Sequence, residues 1–472
     1  MKKLNSTIVS FFILTGFISC DNQLDLVPTD VLVEQSVFAD IQTAESALSN
    51  IYFKLYESST GATHVIADAS LNHVGLNNGS SLYNYTGGNI SVTDGAVEAI
   101  WQKYYEVINI ANVFIDKVPV FGIYNEVIKN QHIAEAKFNR AYAYWALLCY
   151  YGHGSLTGNS QGLGLPLQLL PYEGFTEENL IARSTNEEVY TQIIKDLTEA
   201  IIDLPEVYSD NIKTRARATK ATAYAMLSRV HLYKRDYQAC LETSNSMLAY
   251  SNYQLDPDLL NLFPLNLSGV SSRFSNEIIF GFPASSNNGN FQFGIHNIGY
   301  RNKSIWADND FINSMDPNDK RRTELIYEGN PLITNPTIKL RKTTFKFNNP
   351  DERDDIPVIR LAEILLNKAE ALAQIDGVNL ESVTILNEIK ERSGLLPVVM
   401  SDFSSKEELL AELYRERYLE TVFEGRARFD FIRTNRPLRN ENLTEDQKTF
   451  PIPQREIDIS GGKLIQNPGY IN

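Results

Sequence analysis

Cysteine is almost missing from this chain, with three in 472 residues. Cys20, Cys149 and Cys240 lie too far apart for a metal knuckle or a dense disulfide framework. Histidine is sparse too. The six are scattered, and no two fall at the helical spacing of a metal pair, so neither a metal site nor a metal cofactor is expected. Positive charge is the minority sign, 43 Lys and Arg against 58 Asp and Glu, for a formal charge of −15. Such a surface excludes nucleic acid as an expected partner, and argues weakly against strongly anionic polysaccharides unless local basic patches intervene. Long apolar runs are also lacking. Beyond the first residues no segment has 18 continuous apolar positions, so no spanning helix is expected there.

The N-terminus is the exception. Lys2 and Lys3 precede an apolar stretch, Ile8 to Ile18, broken by Ser10, Thr15 and Gly16. It is too short to span a bilayer and reads as an export signal. It closes on Phe17-Ile18-Ser19-Cys20, with a small residue just before the cysteine. This resembles a bacterial lipoprotein signal, although Phe17 stands where leucine is usual. The resemblance implies that Cys20 is lipidated and becomes the mature N-terminus; the alternative is an ordinary cleaved signal with an incidental cysteine. Several acyl chains would hold the protein stably on a membrane, whereas one binds only marginally. Removing 19 of 472 residues leaves 453, and loss of Lys2 and Lys3 takes the charge from −15 to −17. That length is enough for one large core or two intimate lobes. Cys149 and Cys240 sit in apolar helical patterns and are expected to be buried free thiols, though a disulfide is permitted outside the cytoplasm.

Helical periodicity dominates what is present. Apolar residues recur with the 3.6 period over 43–56, 97–118, 128–151, 187–203, 218–234, 237–250, 358–373, 380–392 and 406–423. Between Tyr253 and Asp355 the period fails, and Asn, Gly, Pro, Ser and aromatics take over. The fold class is therefore mostly α with one long loop-rich insertion. Residues 1–19 form the signal, 20–252 an N-terminal helical region, 253–355 a loop-rich, ligand-facing region, and 356–472 a C-terminal helical region on the same scaffold. Within "ATKATAYAMLSRVHLYKRDYQACLETSNSML", Ala221, Ala225, Leu232, Tyr233, Tyr237 and Ala239 alternate small and large as in a tetratricopeptide hairpin. "RLAEILLNKAEALAQIDG" with "ESVTILNEIKERSG" makes a second such pair, and "AEAKFNRAYAYWALLCYYG" a plausible third. Their spacing is irregular, so packed hairpins are expected rather than a uniform solenoid.

"ELYRERYLETVFEGRARFDFIR", residues 412 to 433, carries the densest charge. Glu416, Glu420 and Glu424 recur at i,i+4 and would repel on one face, with Arg417, Arg426 and Arg428 near enough to offset them. The interleaved Tyr418, Leu419, Val422 and Phe423 imply burial, where such charges must be paired. A pair of carboxylates also invites a glycosidase reading, but that chemistry needs environments that push two pKa values apart. Carboxylates so well supplied with arginine should stay ionised. Structural pairing is the expectation.

This segment resembles the SusD/RagB family pattern of ER, E and FEG-R-FD-IR. Other features of that family stand in order: Cys20, "AEAKFNRAYAYWALLCYYG" with "LPL" at 165 to 167, "PVIRLAEILLNKAEAL", "LNEIKERSGL", "FPIPQREI" and "QNPGY". The resemblance covers essentially the whole chain after the signal. It implies an α-helical fold with tetratricopeptide-like pairs and a lipid-anchored, cell-surface outer-membrane protein. Such a protein would bind oligosaccharides, or in some cases peptides, and act as the lid of a SusC-like TonB-dependent outer-membrane transporter, with no enzymatic activity.

Those motifs are scaffold signatures and name no binding residues. Sugars offer apolar C–H faces flanked by hydroxyls, so a site needs exposed rings beside amide, carboxylate or guanidinium groups. Two non-helical stretches have that mixture. In 76–95, Tyr83 and Tyr85 stand among Asn77, Asn78, Asn84 and Asn89, and would point the same way if the chain is extended. In 287–306 are Phe291, Phe293, His296, Tyr300, Arg301 and Trp306. Tyr83, Tyr85 and Tyr300 are expected to be exposed, Trp306 stands between platform and core, His296 reads as a loop hydrogen-bonder, and Trp101 and Trp145 read as core. The expected ligand set is Tyr83, Tyr85, Asn78, Asn84, Tyr300, Arg301 and Trp306, on two stretches that meet on one face. A peptide ligand, an all-α glycoside hydrolase, and a tetratricopeptide scaffold for protein partners are the competing readings.

Overall fold

Helix starts are written by side chains that cap them. In the computed structural model, which describes residues 34–86, 90–172, 174, 176–177, 180–263, 274–283, 300, 305–328, 340–347 and 354–470, a short α1 (Glu34–Ala39) leads into α2 (Ile41–Ser59) and α3 (Ala62–Ala69). Asp40, Asp94 and Asn125 each accept two backbone N–H groups at the starts of α2, α4 (Gly95–Phe121) and α5 (Glu126–Tyr151). Thr185 and Glu188 form a reciprocal capping box on α6 (Asn186–Asp203). After α7 (Asn211–Ala216) come α8 (Lys220–Lys234) and α9 (Tyr237–Leu248). Arg235 at φ 66 ends the first of these and Asp236 caps the second, so the reversal takes two residues.

Helix α5 is the axis of the N-terminal half. It lies between α4 and α6, and from Ala134 to Tyr151 only Lys137 is not buried. Ala136, Ala141 and Ala143 let its neighbours approach closely, while Phe138, Tyr144 and Tyr151 fill the space between. Trp101 and Trp145 are buried as expected. Cys149 and Cys240 are buried free thiols, and burial raises both thiol pKa values, Cys240 to about 12. The C-terminal half repeats the hairpin logic. Helix α8 packs on α9, and α12 (Leu361–Asp376) packs on α9, α13 (Leu380–Arg392) and α14 (Lys406–Thr421).

Among the described residues there are three two-stranded antiparallel sheets. They are β1 (Val74–Leu76) with β3 (Ile305–Ala307), β2 (Ile278–Phe282) with β6 (Ile356–Arg360), and β4 (Ile326–Tyr327) with β5 (Thr343–Thr344). The helix expected from Val358 therefore starts later. Val358 to Arg360 complete β6, a strand buried on every residue, and the helix begins at Leu361. Short α10 (Asn309–Ser314) and α11 (Lys320–Thr323) follow β3, and α15 (Ala427–Arg433) and α16 (Gln454–Ile459) close the chain.

The charged segment is buried, and its partners differ from those expected. Helix α14 stops at Thr421, and Phe423 takes φ 65, so Glu424 leaves the face shared by Glu416 and Glu420. The cations come from elsewhere in the chain. Arg321 binds Glu416. Arg360, 1% exposed, reaches Glu277 and Glu420 with Nη1 at 2.7 Å and Glu424 with Nη2 at 2.8 Å. Arg392 meets Glu277 at 2.6 Å and Glu420 at 2.7 Å, and Lys346 meets Glu424 at 2.7 Å. Arg417 and Arg428 do not serve this cluster: Arg417 lies by Glu370, and Arg428 donates to the Lys448 carbonyl. Arg426 does contact Glu424, and also Glu363. Burial alone would raise the Glu420 and Glu424 carboxyls, but the surrounding guanidinium and ammonium groups hold both below the ordinary carboxylate range.

Candidate ligand-binding face

Gly75 creates the seat on which this face is built. Strand β1 pairs with β3 so that Gly75 lies opposite Trp306. A Cβ at Gly75 would fall 2.2 Å from the indole, so the ring lies directly against bare backbone. The Arg341 guanidinium covers Trp306 at 3.7 Å from the ring centroid, and its Nη2 donates to Asn77 Oδ1 at 2.7 Å. Trp306 is thus half-buried between a glycine and an arginine. The β1–β3 ladder brings the end of one predicted stretch, Ile305 and Trp306, beside the start of the other, Leu76.

Beyond β1 the chain does not stay extended. Ser80 caps a 3₁₀ turn, Ser81–Tyr85, accepting from the Leu82 N–H. Three residues per turn place side chains two apart on different sides, where an extended chain would align them. Tyr83 faces out, 39% exposed, with its hydroxyl donating to the Leu76 carbonyl at 3.3 Å. Asn78 and Asn84 are exposed beside it. Tyr85 turns inward, against expectation: it stacks on Phe450 and donates to Asp94 Oδ1 at 2.8 Å, supporting the cap of α4. Tyr300 is also a correction. It is fully buried, packed by Phe423 and Phe347, and donates to Asp68 Oδ2 at 2.7 Å. Burial would raise the Asp68 carboxyl, but His64 and His73 hold it far below the usual range. Tyr300 is therefore part of the core beneath the face. Cys20, Asn89, Phe291, Phe293, His296 and Arg301 lie outside the described residues.

An open cavity of about 520 Å³ adjoins β1 and β3, lined by Asn72, Asp308, Asp310, Phe311, Ser314, Tyr418 and Arg439. Arg439 holds the turn into β1 by donating to the carbonyls of Ala69, Leu71 and Val74, and the Asp308 N–H donates to the His73 carbonyl. Burial lowers the Arg439 pKa, and the Tyr83, Asp308 and Tyr418 groups oppose that shift. Sequence reasoning missed this lining. Asp308 announces itself only as the cap of α10, and Arg439 is brought in from a distant part of the chain.

Two family models tile the chain. One, described as starch-binding and associating with the outer membrane, matches residues 24–232, and the SusD family model matches 223–443. The chain belongs to the SusD/RagB family. SusD-like protein P2 of Formosa agariphila is 26% identical over an alignment spanning 100% of both chains. Starch-binding protein SusD of Bacteroides thetaiotaomicron is 31% identical over 129 residues, 25% of this chain and 22% of that one. A SusD superfamily protein from Bacteroides vulgatus superimposes with a TM-score of 0.78 at 21% identity, covering 92% of this chain and 100% of its own. The fold is thus that of the SusD superfamily, and membership points to carbohydrate binding at the outer membrane. Among the described residues no helix is long and apolar enough to cross a membrane, and no His, Cys, Asp and Glu group could hold a metal ion.

Proposed function

We propose that this SusD/RagB protein is a non-catalytic, surface-facing lipoprotein, anchored through Cys20, that binds oligosaccharides and delivers them to a SusC-like TonB-dependent transporter. The observation that supports it best is the exposed ring of Tyr83, held on the capped turn that follows β1. Rings that stack on sugar faces lose little entropy, and Asn78, Asn84, Asn72 and Asp308 supply donors and acceptors for hydroxyls. Trp306 contributes its exposed edge together with the Arg341 plane, while the buried Tyr85 and Tyr300 act as supports. The large carboxylate cluster plays no part. It is enclosed in the core, and the internal cavity that Glu424 lines, about 50 Å³, has room for water but not for a sugar ring. Loop positions on a rigid frame are where binding residues concentrate, so 76–86 and 305–310 are the segments to alter.

Titration calorimetry on a panel of neutral oligosaccharides tests this. Tyr83→Ala should weaken binding by about 1–3 kcal/mol, the cost of truncating an interface anchor, with melting unchanged because the ring is outside the core. Normal binding by the variant refutes the placement of the site.

A further inference from the structure

A second cleft shares no lining residue with the cavity of this face. It holds about 420 Å³ between α4, the segment 166–172 and the stretch around α16. The walls are built rigidly. Tyr105 donates to the Pro166 carbonyl at 2.9 Å, Asn112 donates to the carbonyls of Gln168 and Leu170, and the Tyr172 N–H donates to Asn109 Oδ1 at 2.8 Å. The clamped segment forms one side, with Tyr172 half-exposed and Leu170 beyond it 71% exposed. Ile459 and Leu464 form the other, which continues to Ile465, itself 60% exposed. Exposed apolar side chains on both banks of a cleft mark an interaction surface, since the fold itself gains nothing by leaving them in water.

Charge selects among occupants. Glu106 and Glu456 line the cleft with a single base, Arg455, and Glu98 stands beside them. Arg455 is itself exposed and only 3.7 Å from the Glu98 and Glu456 oxygens, a loose contact in both cases. Glu106 has a firmer partner, Lys54 at 3.0 Å. Burial raises the Glu456 carboxyl, Arg455 offsets part of that shift and Glu98 adds to it; with Glu98 and Glu456 sharing one exposed guanidinium, an additional cation here would be welcome. The volume suits one or two side chains rather than a folded element, and the exposed Leu170, Ile459 and Ile465 on the two banks suit an apolar side chain of a peptide. We infer that this cleft docks an extended segment of a partner polypeptide that presents a bulky apolar side chain beside a lysine or arginine.

Fluorescence anisotropy with labelled acetyl-Lys-Leu-Trp-Leu-Lys-amide on the whole protein tests it. The basic peptide should bind at least about tenfold more tightly than its counterpart with glutamate in place of lysine. Tyr172→Ser and Ile459→Ser should each weaken it severalfold without moving the melting curve, and Glu456→Gln should narrow the preference for the basic peptide. Equal binding of both peptides, unchanged binding by the two apolar variants, no binding below about 1 mM, or displacement by a neutral oligosaccharide would each overturn the inference. Glycan titration of the same variants separates this from the sugar-binding reading, because that face has none of these residues.

Discussion

Replacing Arg360 with methionine should destabilise this protein more than any single change on α14 itself. The guanidinium is enclosed and serves Glu277, Glu420 and Glu424 at 2.7, 2.7 and 2.8 Å. It also donates to the Glu420 carbonyl at 2.9 Å. Removing one partner from a buried pair leaves an uncompensated charge at a cost of about 3–5 kcal/mol. Here three carboxylates lose a cation, so the upper end of that range applies, even though Arg392 and Lys346 remain. Arg426 is the control. Its carboxylates keep other partners, Glu424 through Arg360 and Lys346 and Glu363 through Arg229 at 2.6 Å, so Arg426→Ala should cost only about 1–3 kcal/mol. The pH dependence gives an independent sign. In the parent, Glu420 and Glu424 titrate below the usual range, so their contribution is present above that range and is lost as pH falls through their lowered values. Without Arg360 they become easier to protonate, and the deficit should shrink as pH drops from about 7 to 5. Arg360→Met with Glu420→Gln should recover part of the loss. Urea denaturation followed by circular dichroism at several pH values reads all of this. An Arg360→Met midpoint like the parent's, a deficit independent of pH, or an Arg426→Ala cost as large as that of Arg360→Met would refute the network as drawn.

Gly75→Ala should both destabilise, by about 1–3 kcal/mol as an overpacked contact, and abolish glycan binding, because the new Cβ collides with the Trp306 indole; a variant that melts and binds normally would remove Trp306 from the face. Tyr300→Phe should cost about 1–2 kcal/mol by removing one donor from the buried Asp68 and leave affinity unchanged, which calorimetry and melting together decide. Cys20→Ala should move the protein from membranes into a soluble fraction, and continued fatty-acid labelling of that variant would show the anchor to be elsewhere.

The helical scaffold was legible because its signals are local. Alternating small and large residues announce the close packing of α8 on α9, and Asp236 marks the turn between them. The charged segment was legible as structure but not as a network. Its real partners include Arg321, Arg360 and Arg392, and Arg321 is 95 residues from Glu416 along the chain; no helical spacing connects residues so far apart. Val358 to Arg360, the end of β6, were misread as helix because a short, fully buried run has no period of its own: Ile356 to Arg360 is apolar on both faces of the strand apart from the arginine that enters the ionic core.

The face shows why composition finds irregular chain more easily than it finds the direction of each ring. Asn, Gly and Tyr together marked 76–95 as non-helical, and its described part holds the end of β1, a short 3₁₀ turn and both exposed and buried positions, because the direction of each ring depends on local pitch. An extended chain aligns Tyr83 with Tyr85, whereas the 3₁₀ turn capped by Ser80 splits them, one outward and one onto Phe450. Tyr300 was lost for a different reason. A tyrosine buries well when its hydroxyl finds an acceptor, and Asp68, 232 residues away, supplies one that only the folded chain presents. Trp306 lay between the two outcomes because both hold at once: Gly75 takes one side of the indole, and Arg341 tops the other. A tyrosine or tryptophan in a polar loop is therefore evidence for a ligand only after its own hydrogen-bond partner and the space behind its ring are known. By that standard Tyr83, bonded only to a neighbouring carbonyl and open to water, carries the strongest claim on this face.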